Sequence, residues 1–183
     1  MSEKLNCALD GFIHGYIDKA EAGLVIAYDE DFPSRCIVAA ATDGENVLWQ
    51  PVLQTENNHF DNVQSALDLT LNTEYTAFFT RYWSDHLHAS APDGELTLLQ
   101  VWNQDDFERL QQNLIGHVLM KRRLKQPETL FFALTDQEDI IISVENTTGN
   151  VVVEQVGKRP HRTLAPSLAE FLGSLVPNPS AAA

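Results

Sequence analysis

The sequence of 183 residues lacks a long hydrophobic segment. Its longest unbroken apolar run spans residues 36–41, six residues, whereas a helix that crosses a bilayer needs about 20. The first 20 residues show no basic start followed by an apolar core, so we expect neither a signal peptide nor a transmembrane helix. Two cysteines, Cys7 and Cys36, are too few for a disulfide framework, and a reducing cytoplasm is the simpler setting.

The sequence also lacks the short motifs of several enzyme classes. Its nine glycines form neither G-x-G-x-x-G nor G-x-x-x-x-G-K, the loops that hold nucleotide phosphates. The G-x-S-x-G motif that presents a nucleophilic serine is missing as well. The sequence therefore carries no signature of a phosphate-binding loop or of a serine hydrolase.

Positive charge is scarce in this chain and unevenly placed. Lys and Arg number 12 against 26 Asp and Glu, which gives a formal net charge of -14. Residues 1–108 hold 19 of the acids and only four bases, whereas residues 109–183 hold seven acids and eight bases. Such a field repels nucleic-acid phosphates and anionic lipid, so we expect neither as a general partner. It attracts a basic protein segment, although an acidic surface also simply keeps a protein in solution.

Periodic apolar positions predict an α+β fold. Helices are predicted over 5–23, over a stretch that Asn57 and Asn58 cap, over 103–125 and over 168–175. Strands are predicted over 36–41, 47–50, 85–89, 96–101, 129–134, 140–144 and 151–156, while 73–82 fits either element. Because these elements come in blocks joined by hairpin turns, we expect a single domain over 1–175, mainly an antiparallel sheet flanked by helices. Residues 176–183 are expected to form a flexible tail.

His86 and His88 are the residues that most resemble part of an enzyme site. On a strand their side chains face the same side, where they could share a metal ion. A zinc site needs at least one further ligand, which no spacing in the sequence supplies, so we favour imidazoles that form local hydrogen bonds. We expect no metal and no cofactor. Cys7 and Cys36 have no neighbouring His, and we expect both to be buried structural thiols.

Clusters of like charge have both a structural and a chemical interpretation. Asp105 and Asp106 form a carboxylate pair suited to acid–base work, but they also begin the helix that Asn103 caps, and we favour capping. The basic run over 121–125 ends that helix, where it complements the helix dipole or touches phosphate or lipid headgroups. The smaller basic cluster over 158–162 has the same two interpretations. We favour the structural one for both runs.

A series of short motifs resembles the Syd family of bacterial SecY-interacting proteins. The most specific stretch is ELTLLQVW at 95–102, followed by DDF at 105–107 and QNLIGH at 112–117. Further matches, in the family's order, are WQP at 49–51, Asp85-x-x-His88-Ala89, PDG at 92–94, KRRL at 121–124, TLF at 129–131, ISV at 142–144 and LAEFL at 168–172. Together they cover about residues 33–175, and the chain is identified as a member of this family.

The resemblance implies an α+β fold of the SUKH superfamily with an acidic concave face. It implies a soluble cytoplasmic protein, peripheral on the cytoplasmic face of the bacterial inner membrane, that binds basic cytoplasmic loops of the translocation channel SecY. Membrane contact would be mainly indirect, through SecY. The family is thought to act in quality control of improperly assembled SecY complexes. It implies no enzymatic activity, no catalytic residue and no cofactor.

Four carboxylates are predicted to belong to the acidic binding surface: Asp61, Asp68, Glu74 and Asp85. Asp61 and Asp68 are seven residues apart and would share a helix face. Those two and Asp85 lie in stretches similar to the family, while Glu74 is chosen for its charge. Two other functions stay open. One is an immunity-type module that binds a toxin, because the superfamily hosts such proteins; the other is a metal-dependent hydrolase that uses the two histidines.

Overall fold

The computed structural model describes residues 2–182. Within them, the α-helices are α1 (Glu3–Lys19), α2 (Asp61–Leu67), α3 (Thr73–Thr80), α4 (Gln104–Arg123) and α5 (Leu168–Ser174). The strands are β1 (Leu24–Ala27), β2 (Asn46–Trp49), β3 (Val52–Leu53), β4 (Tyr82–Trp83), β5 (Leu87–Ala91), β6 (Gly94–Leu98), β7 (Thr129–Thr135), β8 (Ile140–Glu145), β9 (Val151–Gln155), β10 (Arg162–Ala165) and β11 (Val176–Pro177). A 3-10 helix, Pro179–Ala182, follows β11. None of the helices described here is both long and apolar enough to traverse a lipid bilayer.

Seven strands form one antiparallel sheet in the order β10, β9, β8, β7, β6, β5, β11. From β5 to β10, each strand pairs with the next along the chain. The tight turn between β5 and β6 ends at Gly94, whose φ of 142° is one that residues with a side chain rarely adopt. The predicted α+β fold with a mainly antiparallel sheet is confirmed.

Helices cover the sheet on both faces. The Phe131 ring on β7 packs edge-to-face on His117 of α4, with ring centroids 5.4 Å apart. The next side chain, Phe132, lies on the opposite face, at a point where the pairing of β7 with β8 is irregular. There it contacts Phe78 of α3 and Phe171 of α5. The apolar core therefore lies in two layers, between α4 and the sheet and between the sheet and the helices α3 and α5.

The start of α4 shows why its boundary was predictable. The Asn103 side chain accepts a hydrogen bond from the Asp106 N–H at 3.0 Å, and the Asp106 carboxylate accepts one from the Trp102 N–H at 3.0 Å. The first bond satisfies an N–H that the first turn of a helix leaves without a partner, and the second ties the Asp106 side chain back to the residue before the cap. The capping interpretation of Asp106 is confirmed.

The N-terminal strands pair differently from the prediction. β2 pairs with β1, which was not predicted, rather than with a strand over 36–41. That predicted strand is wrong: the segment contributes an isolated bridge from Ile37 to Trp49, on the other side of β2. Ala39 and Ala40 are exposed, and alanine gains little from a place on a pleated surface, so the apolar run does not continue as a strand.

The end of the chain joins the main sheet. Val176 and Pro177 form β11, which pairs with β5. The Asn178 N–H then donates to the His88 carbonyl at 2.9 Å, and the Lys19 ammonium donates to the Pro177 carbonyl at 3.1 Å. The predicted domain boundary after residue 175 thus falls beside an edge strand of the sheet. The flexibility expected over 176–183 stays a prediction.

Candidate functional site

β1 and β2 form a ribbon separate from the main sheet. β2 lies in the middle of this ribbon, because it pairs with β1 on one side and its Leu48 carbonyl accepts a bond from the Val38 N–H at 3.2 Å on the other. Residues 28–45 connect the two strands. β1 is therefore the outer strand, and its far edge borders a groove.

Two adjoining cavities of about 570 and 240 Å³ run along β1. Both are lined by Ile26, Ala27 and Asp85, so they form one continuous groove, which we call the Asp85 groove. The larger part reaches the end of α1 and the 3-10 helix, and the smaller part reaches the start of α4. The groove walls also include Tyr16, Glu21, Val25, Asp29, His86 and Asp106. Its size is typical of a groove that binds a ligand or a peptide segment.

The walls of the Asp85 groove carry an excess of negative charge. Its four carboxylates belong to Glu21, Asp29, Asp85 and Asp106. Asp106 is paired with Arg109, whose Nη1 lies 3.0 Å from its Oδ1. Within residues 2–182, the other three have no Lys, Arg or His nitrogen within 4.0 Å. Lys19 also lines the groove, and its ammonium is bonded to a backbone carbonyl.

Asp85 is held by the backbone beside it. Its carboxylate accepts a hydrogen bond from the His86 N–H at 2.8 Å, and its side chain is half-buried. The Tyr16 hydroxyl accepts a long bond of 3.4 Å from the His88 N–H. Burial raises the pKa of the Tyr16 phenol, and the charge of Asp85 raises it further. This wall of the groove therefore presents a carboxylate beside a protonated phenol.

An exposed loop next to the smaller part of the groove adds further acids. We call it the acidic loop: Asp29, Glu30, Asp31, Asp43 and Glu45. The Asp43 carboxylate accepts a hydrogen bond from the Glu30 N–H at 3.1 Å, which ties the two halves of the loop together. In the described chain, none of the five forms an ion pair.

Of the four predicted site acids, Asp85 lines the groove and the other three do not. Asp61 is exposed at the start of α2. Asp68 follows the end of that helix with a left-handed φ of 46°, so the two do not share a helix face as expected. The Glu74 carboxylate is half-buried and accepts a bond from the Ala169 N–H at 3.2 Å, in the first turn of α5. Their part in binding stays a prediction.

Sequence reasoning missed three carboxylates of the groove. Asp29 had a usable signal, because three successive acids at 29–31 are dense charge for one loop. Glu21 lies near the end of the predicted first helix, which in the structure ends at Lys19, and Asp106 was explained by capping, so neither carried a signal of its own. The three carboxylates line one groove because β1 pairs with β2, and the sequence did not predict that pairing.

The two histidines make local hydrogen bonds. His86 Nδ1 accepts from the Gln100 N–H at 3.1 Å, and His88 Nδ1 lies 3.2 Å from the Thr97 hydroxyl. Residues 2–182 contain no group of three or more His, Cys, Asp or Glu side chains placed to hold a metal ion. The predicted local hydrogen bonds of both imidazoles are confirmed.

The two thiols differ in their surroundings. Cys36 is buried, and burial raises the pKa of its thiol to about 11, which keeps it protonated and unreactive. Cys7 is exposed on α1, so the expectation of a buried thiol is wrong there. The apolar neighbours of Cys7 in sequence lie on other faces of the helix.

The basic run over 121–125 does not form one exposed cluster. The Lys121 side chain is fully buried, and its ammonium donates to Glu154 Oε1 and to the Lys158 carbonyl, both at 2.9 Å. Arg122 donates to the Leu67 carbonyl at 2.7 Å and pairs with Glu128. Two members of the run are therefore committed to contacts within the fold.

Comparison with known proteins finds similar sequences along almost the whole chain. A family described as "Syd protein (SUKH-2)" matches residues 3–177. "Protein Syd" of Alteromonas mediterranea is 52% identical over 178 residues, which is 97% of this chain and 98% of that protein. "Protein Syd" of Pseudoalteromonas atlantica is 47% identical over 183 residues with the same coverage. That of Colwellia psychrerythraea is 48% identical over 159 residues, 82% of this chain and 79% of that protein.

The family match includes every strand of the main sheet, both strands of the ribbon and the four carboxylates of the Asp85 groove. The matches to individual proteins at 47 and 52% identity extend over nearly the full length of both partners. The chain therefore belongs to the Syd family.

Proposed function

We propose that this protein binds basic cytoplasmic loops of SecY through the Asp85 groove and the acidic loop. By that contact it associates with the cytoplasmic side of the bacterial inner membrane. The observation that carries the proposal is the set of carboxylates without a basic partner on the groove walls of a Syd-family chain. A Lys/Arg-rich segment would supply the missing opposite charge.

Complementary charge favours this partner in two ways. It speeds the encounter of the two surfaces, and it penalises segments that carry acids. Exposed carboxylates are screened over about 8 Å at physiological ionic strength, so the attraction is expected to weaken as salt rises. The proposed role is therefore selective binding, with no catalytic step.

We infer further that this binding serves quality control of SecY. A cytoplasmic loop that is covered in a properly assembled translocase would not reach the groove, whereas the same loop in an improperly assembled complex would. Selectivity for defective complexes would then follow from loop accessibility alone. Co-purification with detergent-solubilised SecY, with and without its partner subunits, tests this step.

Charge reversal in the groove tests the proposal. We expect Asp29→Lys with Asp85→Lys to weaken binding of a basic SecY-loop peptide by at least about tenfold, because two attractive contacts become repulsive. The matched control is Asp136→Lys with Glu138→Lys, the same change of charge at exposed positions in the turn between β7 and β8. Binding is measured by isothermal titration calorimetry across a salt series, and circular dichroism checks the fold.

Two results would contradict the proposal. One is an equal loss of affinity in both double variants, which would indicate net charge rather than the groove. The other is wild-type protein that ignores SecY and binds a soluble toxin tightly, which would favour the immunity-type alternative.

A separate variant tests the three acids that the sequence predicts for the binding surface and that lie outside the groove. Asp61→Lys, Asp68→Lys and Glu74→Lys together are expected to abolish pull-down of the basic peptide if these residues contribute to the surface. Glu74→Gln serves as a control, because it keeps an acceptor for the Ala169 N–H while removing the charge. Unchanged binding by the triple variant would remove the three residues from the site.

A further inference from the structure

The outer edge of β1 has no strand beside it. The Tyr28 N–H donates to the Glu45 carbonyl at 2.8 Å, in register with the pairing of β1 and β2. Successive residues of a strand turn their N–H and C=O groups to opposite sides, so Val25 and Ala27 turn theirs away from β2. Within residues 2–182, no hydrogen bond to these outward groups is made. Val25 is also 56% exposed.

Both edges of the main sheet are protected. β10 starts with Arg162 and is interrupted by an irregular register between Thr163 and Ala165. β11 is two residues long and ends in Pro177. Charges, bulges, proline and short length are the features that keep strands from pairing with foreign chains. β1 has the sequence LVIA and an unbroken register, so it contains no charge, bulge or proline. Its length of four residues is the one protective feature that it has.

The charges around this edge suit one kind of added chain. Glu21 lies at one end of the groove, Asp85 beside its middle and Asp29 at the other end. In an extended chain, alternate side chains point to the same face about 6.6 Å apart. A segment with Lys or Arg at such positions can place several cations beside these carboxylates while its backbone follows β1.

We propose that an extended, Lys/Arg-rich segment binds the Asp85 groove as a strand added to β1. Its backbone bonds to the outward N–H and C=O groups of Val25 and Ala27, and its cations lie beside Glu21, Asp29 and Asp85. This inference rests on the proposed function and specifies how the basic loop is held. Backbone pairing recognises the extended shape, and the carboxylates recognise the charge.

Backbone methylation of the peptide tests the inference with the protein sequence unchanged. The probes are a basic SecY-loop peptide and two derivatives N-methylated at alternate residues, one at odd and one at even positions. All three have the same charge and side chains. Only alternate N–H groups of an added strand face β1, so one derivative is expected to bind about tenfold more weakly than the other. Calorimetry with the full chain gives the affinities.

Amide exchange supplies a second readout. On addition of the parent peptide, the Val25 and Ala27 amides are expected to exchange more slowly with solvent, while the inward-facing Ile26 amide is expected to change little. Equal affinities for the two methylated peptides, with no added protection at Val25 and Ala27, would overturn strand addition and leave the proposed function intact. A parent peptide that does not bind at all would overturn both.

Discussion

The acid-rich part of the chain, residues 1–108, and the charge-balanced part, residues 109–183, use charge in opposite ways. In the balanced part, Lys121 and Glu154 lie in the core as a fully buried pair. In the acid-rich part, the acidic loop is exposed and has no basic neighbour within the described residues. The contrast shows that a buried charge is matched inside the fold, whereas the exposed acids of the loop form no ion pair among the described residues.

The largest effect is expected in the balanced part. Lys121→Ala leaves the Glu154 carboxylate buried without its cation, and we expect a loss of about 3–5 kcal/mol of unfolding free energy. Urea denaturation measures this loss. The control is Lys121→Met combined with Glu154→Leu, which removes both charges and is expected to recover most of the stability. A double variant as unstable as the single one would show that the fold needs the charges themselves.

A smaller loss is expected at the ion pair of the acid-rich part. Arg81 donates to both Asp10 oxygens at 2.7 and 2.6 Å, and the Tyr82 hydroxyl donates to the same carboxylate at 2.7 Å. Because these side chains are partly exposed, Asp10→Ala is expected to cost about 1–3 kcal/mol, measured by urea denaturation. Asp18→Ala, on an exposed position of the same helix, is the control and should change little. Equal losses would contradict the bonded role of Asp10.

The balanced part also contains a buried histidine, His117, which makes stability depend on pH. Burial lowers the pKa of the His117 imidazole below its usual value; the Glu154 carboxylate raises it and Lys121 lowers it, and the net direction is down. The unfolded chain therefore binds more protons than the folded protein at pH values between the lowered pKa and the ordinary one, near 6.5. Stability is expected to fall as pH drops through that window.

Urea midpoints across that window check this expectation for the wild type and for His117→Gln. The Gln variant does not titrate there, so its stability should decline less steeply with falling pH. Parallel curves for the two proteins would contradict a role for His117.

The smallest change in stability is expected at the acidic loop. Replacing Asp29, Glu30 and Asp31 by the corresponding amides should alter the unfolding free energy by less than about 0.5 kcal/mol, because all three are exposed and unpaired. The same variant is expected to weaken binding of a basic peptide. Thermal denaturation and calorimetry measure the two effects separately. A large destabilisation would show that these acids are needed for the fold, as the buried Lys121–Glu154 pair is expected to be.

The sequence predicted best those elements whose signals are local. The capping side chain of Asn103 and the charges at both ends marked α4, and alternating or continuous apolar runs marked β7, β8 and β9. β10 was missed because its four residues are mixed in character and its register is irregular. Its place in the sheet depends on its neighbour β9 rather than on its own sequence.

The candidate site was harder to predict because it is assembled from distant segments. Asp85 was chosen from its position in a family-like stretch. Asp29 lies at the same groove because it comes just after β1, whose pairing with β2 was not predicted. A local pattern favoured a full strand over 36–41 as the partner of β2, whereas β2 pairs fully with β1 and keeps only an isolated bridge to Ile37 on its other side. The excess of acid in this part of the chain was evident from sequence, whereas the groove that collects it was not.

The last strand and the 3-10 helix have a practical consequence for experiments on this protein. Pro179, Ser180 and Ala182 line the larger part of the Asp85 groove. A polyhistidine tag fused after this helix would emerge at the larger part of the groove and, when protonated, would compete there with any cationic ligand. An affinity handle placed ahead of α1 avoids that competition, and pull-down experiments with the two fusions should differ most at mildly acidic pH.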